Sequence, residues 1–176
     1  MITNRLIDND KEEAVLEFAY QGPCLKYFGS KRNFVITGDV NFEINKNNNN
    51  KIKGECYKTI EINNGDIVDI ISTNKSVYGY FSVSGGFKLN KVWDSFSTTL
   101  RANVGPNNGN KLIDGQEITL NKMRSIINKK LNFINTKIEF IRVLKGTNFD
   151  YFSKDSINNF FSKDFEVTKL TDRMGM

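Results

Sequence analysis

Tyr78-Gly79-Tyr80-Phe81-Ser82-Val83-Ser84-Gly85-Gly86-Phe87 is the segment that decides the fold. Aromatic and β-branched side chains dominate its first six residues and a glycine pair ends it, which predicts a strand that runs into a tight turn. Glycines at such a turn also let a second backbone or a ligand approach closely. The segment lacks the GxxxxGK[ST] pattern of a phosphate-binding loop, and no helix clearly follows it, so the tight turn is the favoured interpretation.

Similar short apolar or alternating runs recur up to about Leu120. They are residues 15–18, 24–28, 34–36, 57–62, 67–71 and 117–120. Turn-forming residues separate them, as at Gly22-Pro23 and Asn63-Asn64-Gly65-Asp66, and the run Asn47 to Asn50 is interpreted as a flexible loop tip. Many short strands with closely spaced turns predict a β-barrel or a β-sandwich.

The composition excludes several classes of site. The 176 residues include no histidine, which removes Ser-His-Asp and Cys-His catalysis, His-ligated zinc and an imidazole general base. Cys24 and Cys56 are too few for an all-cysteine zinc site or a disulfide-stapled domain, so we expect two buried thiols and no metal site. The start of the chain is acidic and polar, unlike a signal peptide, and no run approaches the ~20 apolar residues of a membrane span. We therefore expect a cytoplasmic protein with no membrane contact.

The charge pattern argues against a nucleic-acid partner. The net charge is +5, from 25 Lys and Arg against 20 Asp and Glu, but lysines are scattered among acidic residues and asparagines. One basic cluster contains no acidic residue: Lys122, Arg124, Lys129, Lys130 and Lys137. It could contact phosphate, but residues 122–137 are interpreted as a solvated basic linker.

A strand and a helix are predicted after this linker. Residues 138–144 are typical of a strand, and Lys145-Gly146 closes it. Ser153 or Asp155 can then cap a helix, with Ile157, Phe160 and Phe161 on one face. A piece of this size buries little core alone. We expect it to pack on the barrel, to bind a partner, or to begin an incomplete unit.

Two sets of polar residues are candidates for binding. Ser97, Thr98 and Arg101 place hydroxyls and a guanidinium in a short loop, which suits a carboxylate, amide or phosphoryl group. A surface loop without a ligand is equally consistent. Asp172-Arg173 could supply an acid and a bidentate anion clamp, although an internal ion pair is the favoured interpretation of that pair alone. No residue is assigned a catalytic role.

Read together and in order, these stretches resemble the family of the bacterial 5-oxoprolinase C subunit. The family is also called allophanate hydrolase subunit 2, or the biotin-dependent carboxyltransferase A/B domain, and it includes the antagonist of a sporulation-kinase inhibitor. The matching blocks are Asn4 to Leu6 with Ala14 to Glu17, Gly22-Pro23, Phe34 to Gly38, Gly65-Asp66, Tyr78 to Phe87, Ser95 to Arg101, Gly109 to Leu112 with Gly115 to Ile118, Arg142 to Gly146, and Thr171 to Gly175.

Some features depart from the family pattern. Asp94 stands where the family usually has glycine, Gln116 where it has aspartate, and Lys145 where it has proline. Family members also begin before the position of Met1 and continue past the Asp172-Arg173 motif. We therefore expect a chain truncated at both ends, by a split gene, a truncation or fragmentation. Such a chain is expected to be inactive and marginally stable alone.

The resemblance implies a mainly β fold of two cyclophilin-like β-barrel units in tandem. Residues 1–121 would form the first barrel, incomplete at its N-terminus, and residues 122–137 the linker. Residues 138–176 would then be the first strand and helix of a second, truncated unit.

The resemblance also implies a component of an ATP-dependent complex that opens 5-oxoproline to glutamate. ATP would act through the complex. The partners would be a sister protein resembling the kinase inhibitor, of the kind found as the 5-oxoprolinase B subunit, and a lactam-utilisation protein. The implied substrate-binding residues are Gly85, Gly86, Ser97, Thr98, Arg101, Asp172 and Arg173. Two alternatives stay open: a non-catalytic regulator that binds a kinase-inhibitor-like protein, and a biotin-dependent carboxyltransferase acting on urea or a related amide.

Overall fold

A computed structural model describes residues 1–123, 125–126, 128–132 and 139–166 of the chain. The chain divides into two compact units, residues 1–134 and residues 135–176. The described elements are α1 (Ile2–Leu6), β1 (Leu16–Ala19), β2 (Cys24–Lys26), β3 (Arg32–Thr37), β4 (Val40–Asn45), β5 (Lys51–Lys53), β6 (Ile60–Ile62), β7 (Ile67–Thr73), β8 (Tyr78–Val83) and α2 (Lys154–Ser162), with short 3₁₀ turns at Leu100–Ala102, Asn107–Gly109 and Phe149–Tyr151. The domain boundaries given above stay predictions.

The strands of the first unit form two antiparallel sheets. The strand orders are β1-β8-β3-β6 and β2-β7-β4-β5. In the first sheet, β8 lies between β1 and β3, with Phe34 of β3 opposite Val83. In the second, β7 lies between β2 and β4, with Ile44 opposite Val68. The predicted mainly β fold class is confirmed.

Both sheets contribute alternate side chains to one core. Phe34 and Phe81 come from the first sheet, and Phe42 and Ile70 come from the second. The rings of Phe34 and Phe42 meet edge to face, with centroids 6.3 Å apart. Burying a side chain of this size stabilises the fold by about 1.5–3 kcal/mol. The period-2 pattern of the strands therefore determines which residues line the core.

Strand β3 is buried on both faces because α1 covers the face that turns away from the core. Val35 of β3 packs with Leu6 and Ile7. The buried Asn4 of α1 donates to the Glu13 carbonyl over 2.8 Å and accepts from the Ser82 hydroxyl over 3.2 Å. These bonds satisfy polar groups that water does not reach. They attach the start of the chain to β8.

Strands β4 and β5 form a hairpin that the sequence analysis did not predict. Its connection is the asparagine run, where the Lys46 amide donates to the Asn50 carbonyl over 2.8 Å. The predicted loop at Asn47 to Asn50 is thus confirmed. Strand β5 is exposed at all three positions, so it has no apolar pattern and depends on pairing with β4.

Three expectations are wrong for the described residues. Residues 117–120 form no strand, because only Leu120 bridges, to Phe87. Residues 139–144 form no strand either, and all six are exposed, with Leu144 97% accessible. Cys24 is exposed and Cys56 half-buried, so the thiols are free but not both buried. The two strand predictions rested on apolar alternation, which by itself does not make a stable strand.

The predicted helix after the linker is confirmed as α2. Its N-cap is Ser153, whose hydroxyl oxygen accepts from the Ser156 amide over 3.1 Å. The helix carries Phe160 and Phe161, both of which are exposed. Within the described residues, no helix combines the length and the apolar character that crossing a membrane requires.

Candidate functional site

The glycine pair forms a buried turn after β8, and protein atoms occupy the space beside both glycines. Gly85 and Gly86 have φ values of +90° and +77°, in the region that favours glycine. A Cβ atom on Gly85 would lie 2.6 Å from the carbonyl oxygen of Lys122, and one on Gly86 would lie 2.7 Å from a carboxylate oxygen of Glu13. The tight-turn interpretation is therefore confirmed. We call Ser84, Gly85 and Gly86 the glycine turn.

Two short segments joined by an isolated bridge lead away from the glycine turn. The Asn121 amide donates to the Gly86 carbonyl over 3.1 Å, and the Lys88 amide donates to the Thr119 carbonyl over 2.8 Å. Phe87 and Leu120 are bridged between these two bonds. We call residues 86–88 and 119–121 the ribbon. It connects the glycine turn to the loops that follow.

An open groove of about 490 Å³ lies where the ribbon meets those loops. We call it the loop groove. Its lining residues are Lys88, Leu89, Asn90, Val92, Gly105, Pro106, Asn107, Asn108 and Thr119. Lys88, the Thr119 hydroxyl and the side-chain amides of Asn90 and Asn108 could bind an anionic or amide-bearing ligand, beside the apolar Leu89, Val92 and Pro106.

Ser97 and Thr98 pack behind one wall of the loop groove. A Cβ atom on Gly105 would lie 2.5 Å from the Ser97 carbonyl oxygen and 2.7 Å from the Thr98 Cα atom. Ser97, Thr98 and Arg101 are all exposed, and Arg101 lies in the 3₁₀ turn at Leu100–Ala102. Ser97 and Thr98 therefore lie next to the groove, because they pack against Gly105, which lines it. It places the buried glycine pair at the other end of the ribbon.

The two-residue turn before this loop explains one departure from the family pattern. Val92 and Ser95 exchange both backbone hydrogen bonds, at 2.9 and 3.1 Å. Between them, Trp93 and Asp94 have φ values of +51° and +57°. Glycine adopts this left-handed conformation most easily and aspartate tolerates it. A family glycine at Asp94 is therefore expected on conformational grounds.

Arg32 is the residue of this site that the sequence analysis missed. It is 8% exposed and lies at the start of β3. Its Nη1 atom donates to the Ser84 carbonyl over 2.6 Å and to the Asn121 carbonyl over 3.0 Å. These bonds join β3 to the glycine turn and to the ribbon. The only available signal was a charge directly before an apolar run, which is ordinary for a strand end.

A second groove is lined by the β4–β5 connection and the loop before β7. Asp66 is buried there, and accepts from Lys46 Nζ over 2.8 Å and from the amides of Asn63 and Asn47 over 2.9 and 3.0 Å. Burial raises the pKa of Asp66, but these hydrogen bonds outweigh it and hold its pKa below the ordinary value. Because its acceptors are occupied by the protein, we interpret this cluster as structural.

Two predicted site residues, Asp172 and Arg173, lie outside the described residues. Within residues 1–123, 125–126, 128–132 and 139–166, no group of three or more Cys, Asp or Glu side chains is placed to hold a metal ion. The candidate site thus consists of the loop groove, the ribbon and the glycine turn with Arg32.

Comparison with known proteins shows to which family the chain belongs. The family model described as "Carboxyltransferase domain, subdomain A and B" matches residues 1–176. The chain belongs to the carboxyltransferase-domain family. The resemblance stated from the sequence is therefore confirmed.

Two curated relatives of this carboxyltransferase-domain chain carry different names. It is 26% identical over 172 residues to the C subunit of 5-oxoprolinase from Haemophilus influenzae, covering 98% of this chain and 54% of that protein. It is 26% identical over 191 residues to urea amidolyase of Saccharomyces cerevisiae, covering 99% of this chain and 10% of that protein. The chain therefore spans about half the length of the 5-oxoprolinase relative.

A solved structure has the same fold. The urea amidolyase of K. lactis superposes with a TM-score of 0.74 at 20% identity, covering 98% of this chain and 11% of that one. At this identity the likeness concerns the fold alone. It extends the structural match over almost all of the carboxyltransferase-domain chain.

Proposed function

We propose that this chain works as part of an ATP-dependent complex that opens 5-oxoproline to glutamate. The observation that carries the proposal is the match of 172 residues to a 5-oxoprolinase C subunit, within a family model that covers the whole chain. The loop groove supports it, because amide and hydroxyl donors beside a lysine suit a lactam or a phosphoryl group.

The chemistry of the lactam explains why such a site needs no histidine. An unactivated lactam carbonyl is a poor electrophile. Transfer of the γ-phosphoryl group of ATP to the lactam oxygen, with ADP as the leaving group, would activate the carbonyl carbon. One water then adds, the ring C–N bond breaks and an acyl phosphate forms; a second water releases phosphate and leaves glutamate. Positioned cations and hydrogen-bond donors stabilise the charges in these steps.

In this proposal, Lys88 in the loop groove and the exposed Arg101 are the cationic side chains that would contact the substrate. Ser97 and Thr98, which are exposed beside the groove and do not line it, would donate hydrogen bonds to a part of the substrate that extends over Gly105. ATP would be held with the partner proteins, a sister protein of the 5-oxoprolinase B-subunit type and a lactam-utilisation protein. The proposed location is the cytoplasm, where ATP is available.

The test is reconstitution. The chain is mixed with its sister protein and the lactam-utilisation protein, and phosphate and glutamate are measured with and without 5-oxoproline. We expect lactam-dependent ATP hydrolysis only when all three components are present. Equal ATP hydrolysis and glutamate formation without this chain would overturn the proposal.

A second candidate function is carboxyl transfer from carboxybiotin to urea or a related amide. It is favoured by the match to urea amidolyase and by the carboxyltransferase name of the family. The two functions differ in their substrates and in the partner proteins that they require. Incorporation of labelled bicarbonate into urea in the presence of a biotin carrier and a biotin carboxylase would favour the second function.

A further inference from the structure

The guanidinium of Arg32 uses only part of its hydrogen-bonding capacity. Its Nη1 atom donates to the Ser84 and Asn121 carbonyls, whereas its Nε atom is buried without a hydrogen-bond partner. Among the described residues, no carboxylate forms an ion pair with Arg32, and Nε is the guanidinium nitrogen that is buried without a partner. Both known bonds therefore lie at one corner of the group.

A buried cation without a counter-ion is unusual. Removing a guanidinium from water costs free energy that hydrogen bonds to neutral carbonyls offset only in part. Arginine is always protonated in proteins, so it cannot escape the cost by losing its charge. The Nε–Nη2 edge of a guanidinium matches the two oxygens of a carboxylate in spacing and direction. Such an anion would supply both the missing charge and the missing acceptor.

The position of Arg32 connects this edge with the loop groove. Asn121, whose carbonyl Arg32 contacts, lies two residues from Thr119, which lines the groove. Two residues of extended chain span roughly 7 Å, about the length of a small ligand. Arg32 does not line the loop groove itself, so a ligand would have to extend from Thr119 along the ribbon to reach it.

We propose that Arg32 binds the carboxylate of a small ligand that enters from the loop groove. Which ligand this is rests on the proposed function: 5-oxoproline carries one carboxylate beside its lactam. Arg32 would be a specificity-determining residue, which distinguishes the acid from its neutral amide. Because Nε is covered in the structure, binding has to open the ribbon locally.

The experiment compares L-5-oxoproline with L-5-oxoprolinamide on the 176-residue chain alone, at matched ionic strength. Binding is measured by calorimetry, and hydrogen exchange is followed at the amides of Lys88 and Asn121. We expect the acid to bind at least about tenfold more tightly than the amide and to change exchange at the ribbon. Equal binding of the two compounds, or no binding of either, would overturn the inference.

Variants separate recognition of the carboxylate from a bracing role. Arg32→Lys keeps the charge but lacks Nε, and should weaken binding of the acid about tenfold without changing binding of the amide. Arg142→Lys is the matched control, because Arg142 is exposed in the other unit. If Arg32→Lys binds the acid as the unaltered chain does, the inference fails. Since the wild-type comparison needs no variant, misfolding of Arg32→Lys would not obscure the result.

Failure of this inference is distinguishable from failure of the proposed function. A reconstituted complex with Arg32→Lys that turns over 5-oxoproline with an unchanged KM would overturn the inference and leave the function in place. A wild-type complex without lactam-dependent ATP hydrolysis would overturn the function, whether or not the chain binds the acid.

Discussion

The Nζ atom of Lys46 lies 2.8 Å from Oδ2 of Asp66, a carboxylate whose side chain is only 3% exposed. This ion pair joins the β4–β5 connection to the loop before β7. Lys46 also donates to the Glu61 carbonyl over 2.9 Å, so one ammonium holds two loops together. Breaking a buried pair costs far more than breaking an exposed one, because it leaves a buried charge unpaired.

The first prediction is that Lys46→Met destabilises the chain by about 3 kcal/mol. The measurement is urea unfolding followed by far-UV circular dichroism. Lys31→Met is the control, because the Lys31–Glu61 pair is about half exposed and should contribute at most about 1 kcal/mol. If the two substitutions lowered the free energy of unfolding equally, the Lys46–Asp66 pair would not stabilise the fold more than an exposed pair does.

The same pair predicts a pH dependence. Because the pKa of Asp66 is lowered in the folded protein, its contribution to stability is complete above the unfolded pKa of about 3.9 and is lost as the pH falls through the folded value. The Asp66→Asn variant lacks this titration. The difference in unfolding free energy between the two proteins should therefore be constant near pH 6–7 and shrink below about pH 4.

The second prediction concerns the glycine turn. Gly85→Ala should destabilise the chain by about 2 kcal/mol or more, since a Cβ atom there meets backbone at 2.6 Å and φ is +90°. Gly146→Ala is the control, because its added Cβ meets nothing within 4 Å. A thermal melt of each variant tests this. Unchanged stability of Gly85→Ala would mean that Lys122 does not pack there.

The third prediction tests the exposed arginine of the candidate site. In the reconstituted complex, Arg101→Ala should lower kcat/KM for lactam-dependent ATP hydrolysis at least about tenfold, about 1.4 kcal/mol. Folding should be unchanged because Arg101 is exposed. Lys111→Ala, another exposed cation of the same loop region, should stay within about twofold. A tenfold loss in both would indicate a general charge effect.

The fourth prediction uses the one tryptophan of the sequence, Trp93. Its side chain is 84% exposed at the turn between Val92 and Ser95. The native chain should therefore emit like hydrated indole, and urea unfolding should barely shift the emission maximum. Near-UV dichroism from the buried phenylalanines should change over the same range. A blue-shifted native spectrum would show that Trp93 is covered.

The sequence predicted those strands whose apolar pattern and pairing agree. Strand β8 has the predicted bounds, and β3 extends the predicted run by two residues at its start and one at its end. Strand β4 was missed although Val40, Phe42 and Ile44 alternate with half-buried polar residues. Strand β5 carries two lysines around Ile52 and forms through pairing, which a local pattern does not encode.

The candidate site was predictable only in part. The turn at the glycine pair was predicted because two adjacent glycines after a strand indicate a tight turn from the local sequence alone. The contact of Gly105 with Ser97 and Thr98, and the burial of Arg32, depend on segments far apart in sequence. A charge before an apolar run predicts a solvated strand end, and only the tertiary fold shows that Arg32 is covered.

Residues 129–131 pair with the segment directly before β6, although the two segments are about seventy residues apart in the sequence. The Thr59 amide donates to the Lys129 carbonyl and the Leu131 amide to the Tyr57 carbonyl, both over 2.9 Å. During synthesis at about 5–20 residues per second, the segment before β6 therefore waits roughly 4–14 s for the residues that pair with it. Over that interval Tyr57 to Thr59 present open backbone groups at a sheet edge, a template for intermolecular pairing. The nascent chain thus keeps this edge open to intermolecular pairing from the emergence of Thr59 until Leu131 follows.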